Sequence, residues 1–148
     1  MIQRTQTLWM VLAAIAVFLT IKFSFYSGTL AIQSVTDVAP AIITDGAYHV
    51  IRATDNFILL ILTSALGTGI LINIFLFKHR SIQMRIIIAA LLVEFLIIFL
   101  YIRETNKYSQ GSYSIWSALH ILIIIFLIMA AQGIYRDSKL IKDSNRLR

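Results

Sequence analysis

The sequence predicts an all-α integral membrane protein, a four-transmembrane-helix bundle with a small extracytoplasmic β-hairpin cap. Three observations predict it. The 148 residues are 59% hydrophobic and only 14% charged, and the mean hydropathy is +0.83, well beyond what a soluble domain needs. The apolar residues fall into four runs, about 8–26, 56–77, 84–102 and 115–134, each long enough to cross a ~30 Å hydrocarbon core at ~1.5 Å per residue. The runs are separated by charge or turn residues, and the length leaves no room for a separate soluble domain. Residues 1–148 thus read as one integral membrane domain ending in a basic cytoplasmic tail, 135–148.

The first run holds "FLTIKFSFY", Phe18 to Tyr26, with a positive charge inside it. A cleaved signal peptide would want small residues after the apolar stretch. Bulky aromatics stand there instead, so the segment is expected to be an uncleaved span, with Trp9 at one interface and Phe25 and Tyr26 at the other. Lys22 lies four residues before Tyr26, about 6 Å below the end of a helix. From there an ammonium can snorkel to the headgroups, or it can turn inward and pair with another polar group.

The loop that follows is too long for a simple turn and too apolar for disorder. In "AIITDGAYHVI" the dipeptide Asp45-Gly46 stands between β-favouring runs, a two-residue hairpin signal. "TLAIQSV" before it is a candidate third strand. The expectation is a small hairpin or three-stranded cap over about 29–51, with its turn at Asp45 and Gly46, forming the best contact surface in the chain.

The second run contains "LTSALGTGILIN". Ser64 and Thr68 are four apart, as are Ala65 and Gly69, a small-x-x-x-small stripe that lets helix backbones approach. Asn73 in this run and Gln132 in the fourth are expected to hydrogen-bond across helix interfaces. Between the second and third runs lies the tight basic turn "KHRSIQMR", and between the third and fourth "RETNKYSQGSY". Such short connections make consecutive spans antiparallel neighbours.

The third run carries Glu94 in "AALLVEFLIIF". It is eight residues from Ile102, about 12 Å deep, beyond easy snorkelling. A carboxylate there costs about 2.5–3.5 kcal/mol on insertion scales, so it should face the bundle or a partner chain, or else carry a proton. Ala90, one turn away on the same face, would let another helix come close. In the fourth run His120 sits five residues inside Ile115, about 7 Å deep. Lys22, Glu94 and His120 therefore all fall in the outer half of the membrane. They are the intramembrane polar candidates, either gathered in one cluster or satisfied separately by hydroxyls and carbonyls.

Charge distribution sets the expected orientation. Arg4, Lys78, Arg80, Arg85, Arg136, Lys139, Lys142, Arg146 and Arg148 fall on one side of the four spans; only Arg52, Arg103 and Lys107 fall on the other. The positive-inside rule puts both termini in the cytoplasm. The net charge of +6 then reads as topological retention plus attraction to anionic lipid headgroups at the cytoplasmic face, not as nucleic-acid binding.

The chain lacks cysteine, which removes thiolate zinc, iron–sulfur and c-type haem sites. It has no Gly-rich phosphate loop, Gly-x-Ser-x-Gly elbow or His-Glu-x-x-His motif. No catalytic residue, cofactor or metal is assigned.

The opening "MIQRTQTLW", running into "MVLAAIAVF", resembles the start of a family of small four-span inner-membrane proteins from Bacteroidota, catalogued as a domain of unknown function. Met1, Ile2, Gln3, Arg4, Gln6 and Thr7 match its Met-Ile-Gln-Arg-x-Gln-Thr motif, and the remainder matches in layout. The resemblance implies a multi-pass protein of the bacterial inner membrane and no activity. The residues themselves point to a non-enzymatic accessory or scaffolding subunit of a larger membrane complex, with other membrane subunits as partners. The alternative is a small oligomeric proton-coupled transporter using Glu94.

Overall fold

A computed structural model describes residues 2–36, 39–77 and 79–146; Lys78 and Arg148, both counted among the cytoplasmic bases, lie outside them. Helix α1 spans Ile2–Lys22, strands β1 and β2 span Tyr26–Thr36 and Ala39–Ile51, helices α2 and α3 span Phe57–Phe75 and Arg80–Thr105, strand β3 spans Tyr108–Tyr113, and helix α4 spans Ala118–Arg146. All four helices are long and apolar enough to cross a membrane.

The helices start where a polar side chain supplies the first acceptor. Asn56 Oδ1 accepts the backbone N–H of Ile58 at 3.0 Å to open α2, and the Ser114 hydroxyl accepts from Trp116 N–H in the 3₁₀ turn that leads into α4. That turn occupies Ile115–Ser117, so regular helix begins at Ala118. It then continues to Arg146, through residues the sequence suggested as a tail. At ~1.5 Å per residue the 29 residues of α4 reach about 44 Å, more than the hydrocarbon thickness.

Each helix buries one seam at alternating spacings of three and four. The seams run Gln6, Met10, Ala13, Val17, Thr20 on α1, and Leu59, Thr63, Leu66, Ile70, Asn73 on α2. On α3 the seam is Gln83, Ile87, Ala90, Glu94, Ile97, Tyr101, and on α4 it is His120, Ile123, Leu127, Ala130, Ile134, Asp137. This is heptad packing of the four-helix-bundle kind. Helix α1 packs on α2 and α4, and α3 packs on the same two. The outward faces carry Val11, Ile15, Ile61, Ile72, Phe95, Phe99, Ile121 and Ile125, all exposed, a surface that lipid covers and water does not.

The small-residue stripe of α2 does not make the closest helix contact. Ala65 and Thr68 are exposed, Ser64 and Gly69 half-buried, and a Cβ on Gly69 would meet nothing within 4 Å. The close approach is at Gly67, where a Cβ would sit 2.9 Å from Cζ of Phe18 on α1. The Phe18 ring needs the room that only glycine leaves. Gly133 on α4 plays the same part for Gln6 on α1, whose Cγ would lie 2.6 Å from an added Cβ.

The cap is a three-stranded antiparallel sheet in the order β2-β1-β3. Its third strand comes from the second outer loop, while "TLAIQSV" belongs to β1. The strand ends that meet are Thr36 and Ala39, so Asp45-Gly46 is not the hairpin turn. Both residues lie inside β2 at a register slip, where pairing steps from Thr29↔Tyr48 to Ala31↔Thr44. One residue of β1 there, Leu30, stands against three of β2, Asp45 to Ala47, a bulge, the other role for which a glycine in a strand is suited. Strand β3 pairs with β1 only from Tyr26 to Leu30. Gly28 and Gly111 face each other in that ladder, and the Tyr26 ring covers both; a Cβ on Gly111 would lie 2.6 Å from the Tyr26 Oη.

Candidate functional site

The seams bring two of the three predicted intramembrane groups together. Glu94 on α3 and His120 on α4 meet at 2.7 Å, Oε1 to Nδ1, with side chains 1% and 5% exposed. The contact holds one proton on its line, donated by the imidazole N–H to the carboxylate or by the carboxylic acid to the ring nitrogen. Lys22 stays apart; it is exposed in the last turn of α1, in keeping with an ammonium that reaches for headgroups. Ala90 is buried one turn from Glu94 and lines a small apolar cavity between α2 and α3.

An aromatic lid covers the pair. Phe25 stacks on Tyr101 with ring centroids 4.4 Å apart, and its edge meets His120 at 5.5 Å and Tyr113 at 5.7 Å. Tyr101 packs against His120 at 5.3 Å. The backbone fixes the lid from both sides: Phe25 N–H donates to Ile51 O at 2.8 Å, and Ser114 N–H donates to Phe25 O at 3.0 Å. Phe25, three residues past the end of α1, is thereby tied to the end of β2 and to the entry of α4. Phe25 and Tyr26 are therefore buried elements of the site and not an interfacial belt, because the chain leaves the helix at Lys22 and turns into the sheet. The Tyr101 hydroxyl, buried under this lid, has no hydrogen-bond partner among the described residues.

A second α3–α4 contact lies toward the other end of the bundle. Arg80 Nη1 is 3.3 Å from Asp137 Oδ2, a charge contact without hydrogen-bond geometry. Fourteen residues separate Arg80 from Glu94 on α3, about 21 Å along the axis, so two polar contacts well apart fix the register of the antiparallel pair. At the same end Asn73 and Gln83 exchange bonds: Asn73 Nδ2 donates to Gln83 O, and Gln83 Nε2 donates to Asn73 O, both at 3.3 Å. Asn73 thus acts across a helix interface, with Gln83 as its partner; Gln132 is exposed. The buried hydroxyls of Thr20 and Thr63 are satisfied within their own helices, donating to Val17 O and Leu59 O, each at 2.7 Å.

Tyr101, Gln83 and the Arg80–Asp137 contact were not singled out in the sequence, and Phe25 was read there only as part of an interfacial belt. Their signal was spacing. Gln83 and Glu94 share the seam that ends at Tyr101, and Asp137 stands one seam position beyond Ile134. Among the described residues no three His, Asp or Glu side chains gather closely enough to hold a metal ion.

A family model described as a domain of unknown function (DUF4293) matches residues 2–147. No curated protein and no solved structure matches the chain.

Proposed function

The chain belongs to the DUF4293 family of domains of unknown function, and for it we propose a non-enzymatic role as an accessory or scaffolding subunit of a larger complex in the bacterial inner membrane. Both termini lie in the cytoplasm, in accord with the distribution of Lys and Arg. The observation that carries the reading is the strand ladder. Strand β1 has 11 residues, about 36 Å of strand, but β3 pairs with it only up to Leu30. From Ala31 to Thr36, β1 pairs with β2 alone among the described residues. A two-stranded ribbon is marginal by itself, and its free backbone edge is a template for a strand from another chain. The partner is another membrane subunit that covers this ribbon.

The test is extraction from the native membrane in mild detergent followed by native mass measurement. The protein should emerge with partner subunits. A variant in which residues 32–43 are replaced by Asn-Gly, keeping the Ala31–Thr44 pair, should lose them while its helices stay intact. A lone monomer under every mild condition overturns the proposal.

The alternative, a small oligomeric proton-coupled transporter, draws on the proton that Glu94 and His120 share. A carrier site needs water or substrate to reach it, and with 1% of its side chain accessible Glu94 has almost no room for a water-sized neighbour. The pair is better suited to joining α3 and α4. Glu94→Gln in proteoliposomes decides: loss of pH-dependent uptake by a folded protein would favour the carrier.

A further inference from the structure

We propose that the cleft between the start of α3 and the C-terminal turns of α4 holds the phosphate headgroup of an anionic membrane lipid, with an acyl chain lying along α4. Two adjoining cavities form the cleft. The larger, about 460 Å³, is lined by Arg80, Ser81, Met84, Tyr135 and Lys139, among others. The second, about 300 Å³, continues past Met84 and Tyr135 to Ala131 and Arg136.

The chemistry of the two is graded. At the helix ends, Arg80 and Lys139 bring positive charge from two different helices, and α3 adds the positive end of its dipole. Asp137 offsets part of the Arg80 charge, whereas Lys139 and Arg136, which also line the cleft, form no ion pair among the described residues. Arg80 Nη1 is turned inward beside Asp137 Oδ2, so Arg80 adds positive charge to the wall of the cleft and Lys139 is the base that reaches a phosphate oxygen. Ala131 lies eight residues before Lys139, about 12 Å nearer the middle of the helix, and there the walls are the uncharged Met84, Ala131 and Gln132. A free phosphate would occupy only the charged end. A molecule with an anionic head and a hydrocarbon tail matches both.

The inference rests on the membrane placement proposed above, with these helix ends at the cytoplasmic interface, and not on the scaffolding role; loss of partner proteins would leave it intact. The test uses the full-length protein, delipidated in a maltoside detergent and titrated with phosphatidylglycerol or phosphatidylcholine under native mass measurement. One phosphatidylglycerol should be retained with at least about tenfold preference, as about 1 kcal/mol per basic residue near the surface implies. Lys139→Gln should lower that retention about fivefold on the same scale. Arg103→Gln, which removes an equal charge from an exposed position at the opposite end of α3, should not. Lys139 is itself exposed, so its loss leaves the fold unaffected. Equal retention of the two lipids, or equal behaviour of the two variants, overturns the site. Displacement of the lipid by millimolar inorganic phosphate would assign the cleft to free phosphate and overturn the lipid.

Discussion

Glu94 Oε1 and His120 Nδ1 lie 2.7 Å apart in the seam between α3 and α4, each removed from solvent and each the other's counterpart. In hydrocarbon neither group has water to fall back on. Removing one partner leaves a buried polar group with no alternative, a loss of about 3–5 kcal/mol where a buried charge is stranded. Glu94→Ala and His120→Ala should each lower the stability of the detergent-solubilised protein by that order. The double replacement Glu94→Leu/His120→Leu should cost less than either single change, because it strands nothing. Chemical or thermal unfolding of the four proteins measures this. Glu94→Ala/His120→Ala closes the cycle with the single Ala variants, and a loss equal to the sum of their losses would show that the two side chains are not coupled.

Tyr101 offers the opposite case. Its ring stacks on Phe25, while its hydroxyl is buried without a partner. Tyr101→Phe keeps the ring and removes the desolvated oxygen, so stability should be unchanged or rise by about 1 kcal/mol. A loss of more than that in the same unfolding assay would show that the hydroxyl has an acceptor. Tyr101→Ala, which removes the lid's stacking partner, should cost about 3–5 kcal/mol.

Two glycines separated by one residue should respond differently. Gly67→Ala places a methyl 2.9 Å from the Phe18 ring and should destabilise by about 1–3 kcal/mol; Phe18→Leu in the same protein should recover much of it. Gly69→Ala meets nothing and gains helix propensity, so it should be neutral or stabilising by up to about 1 kcal/mol. Thermal unfolding of the variants, with Gly67→Ala the less stable, is the expected order.

The bundle and its polar core were legible to different degrees for a physical reason. Four long apolar runs identify spans because lipid demands them, but lipid also erases the contrast that identifies a buried face in water. Ile97 is buried and Leu96 exposed, and no hydropathy value separates them. Polar and small residues carry the distinction instead. Gln6, Ala13 and Thr20 recur every seven residues, as do Gln83 and Ala90, and Ala130 and Asp137, and all of them are in the seams. Read this way, Glu94 and His120 face the bundle from sequence alone, whereas their pairing depends on the register of α3 against α4. The Asp45-Gly46 signal was real but its geometry was ambiguous, since the same dipeptide serves a turn or a bulge. The third strand was hidden in "YSQGSY", whose polar residues and glycine read as loop until β1 lies alongside.

That strand leads to the last prediction. Gly28 and Gly111 face each other across β1 and β3, and the Tyr26 ring lies over both, so a side chain at Gly111 collides with Ser27 O as well as with Tyr26. Neither obstacle is a flexible tip, because one is backbone and the other a ring packed on Tyr108 and Tyr113. Gly111→Val should therefore strip β3 from β1. Tyr113, which ends that strand, meets the edge of Phe25, and Phe25 is the lid over His120. Hydrogen exchange should then quicken in Tyr108–Tyr113 and in the first turn of α4, with the halves of the helices remote from the sheet unaffected. Ser112→Val, one residue on and exposed, adds a β-branched side chain without a collision and should leave exchange unchanged. If both variants exchange alike, the covered glycine pair does not hold the cap to the bundle.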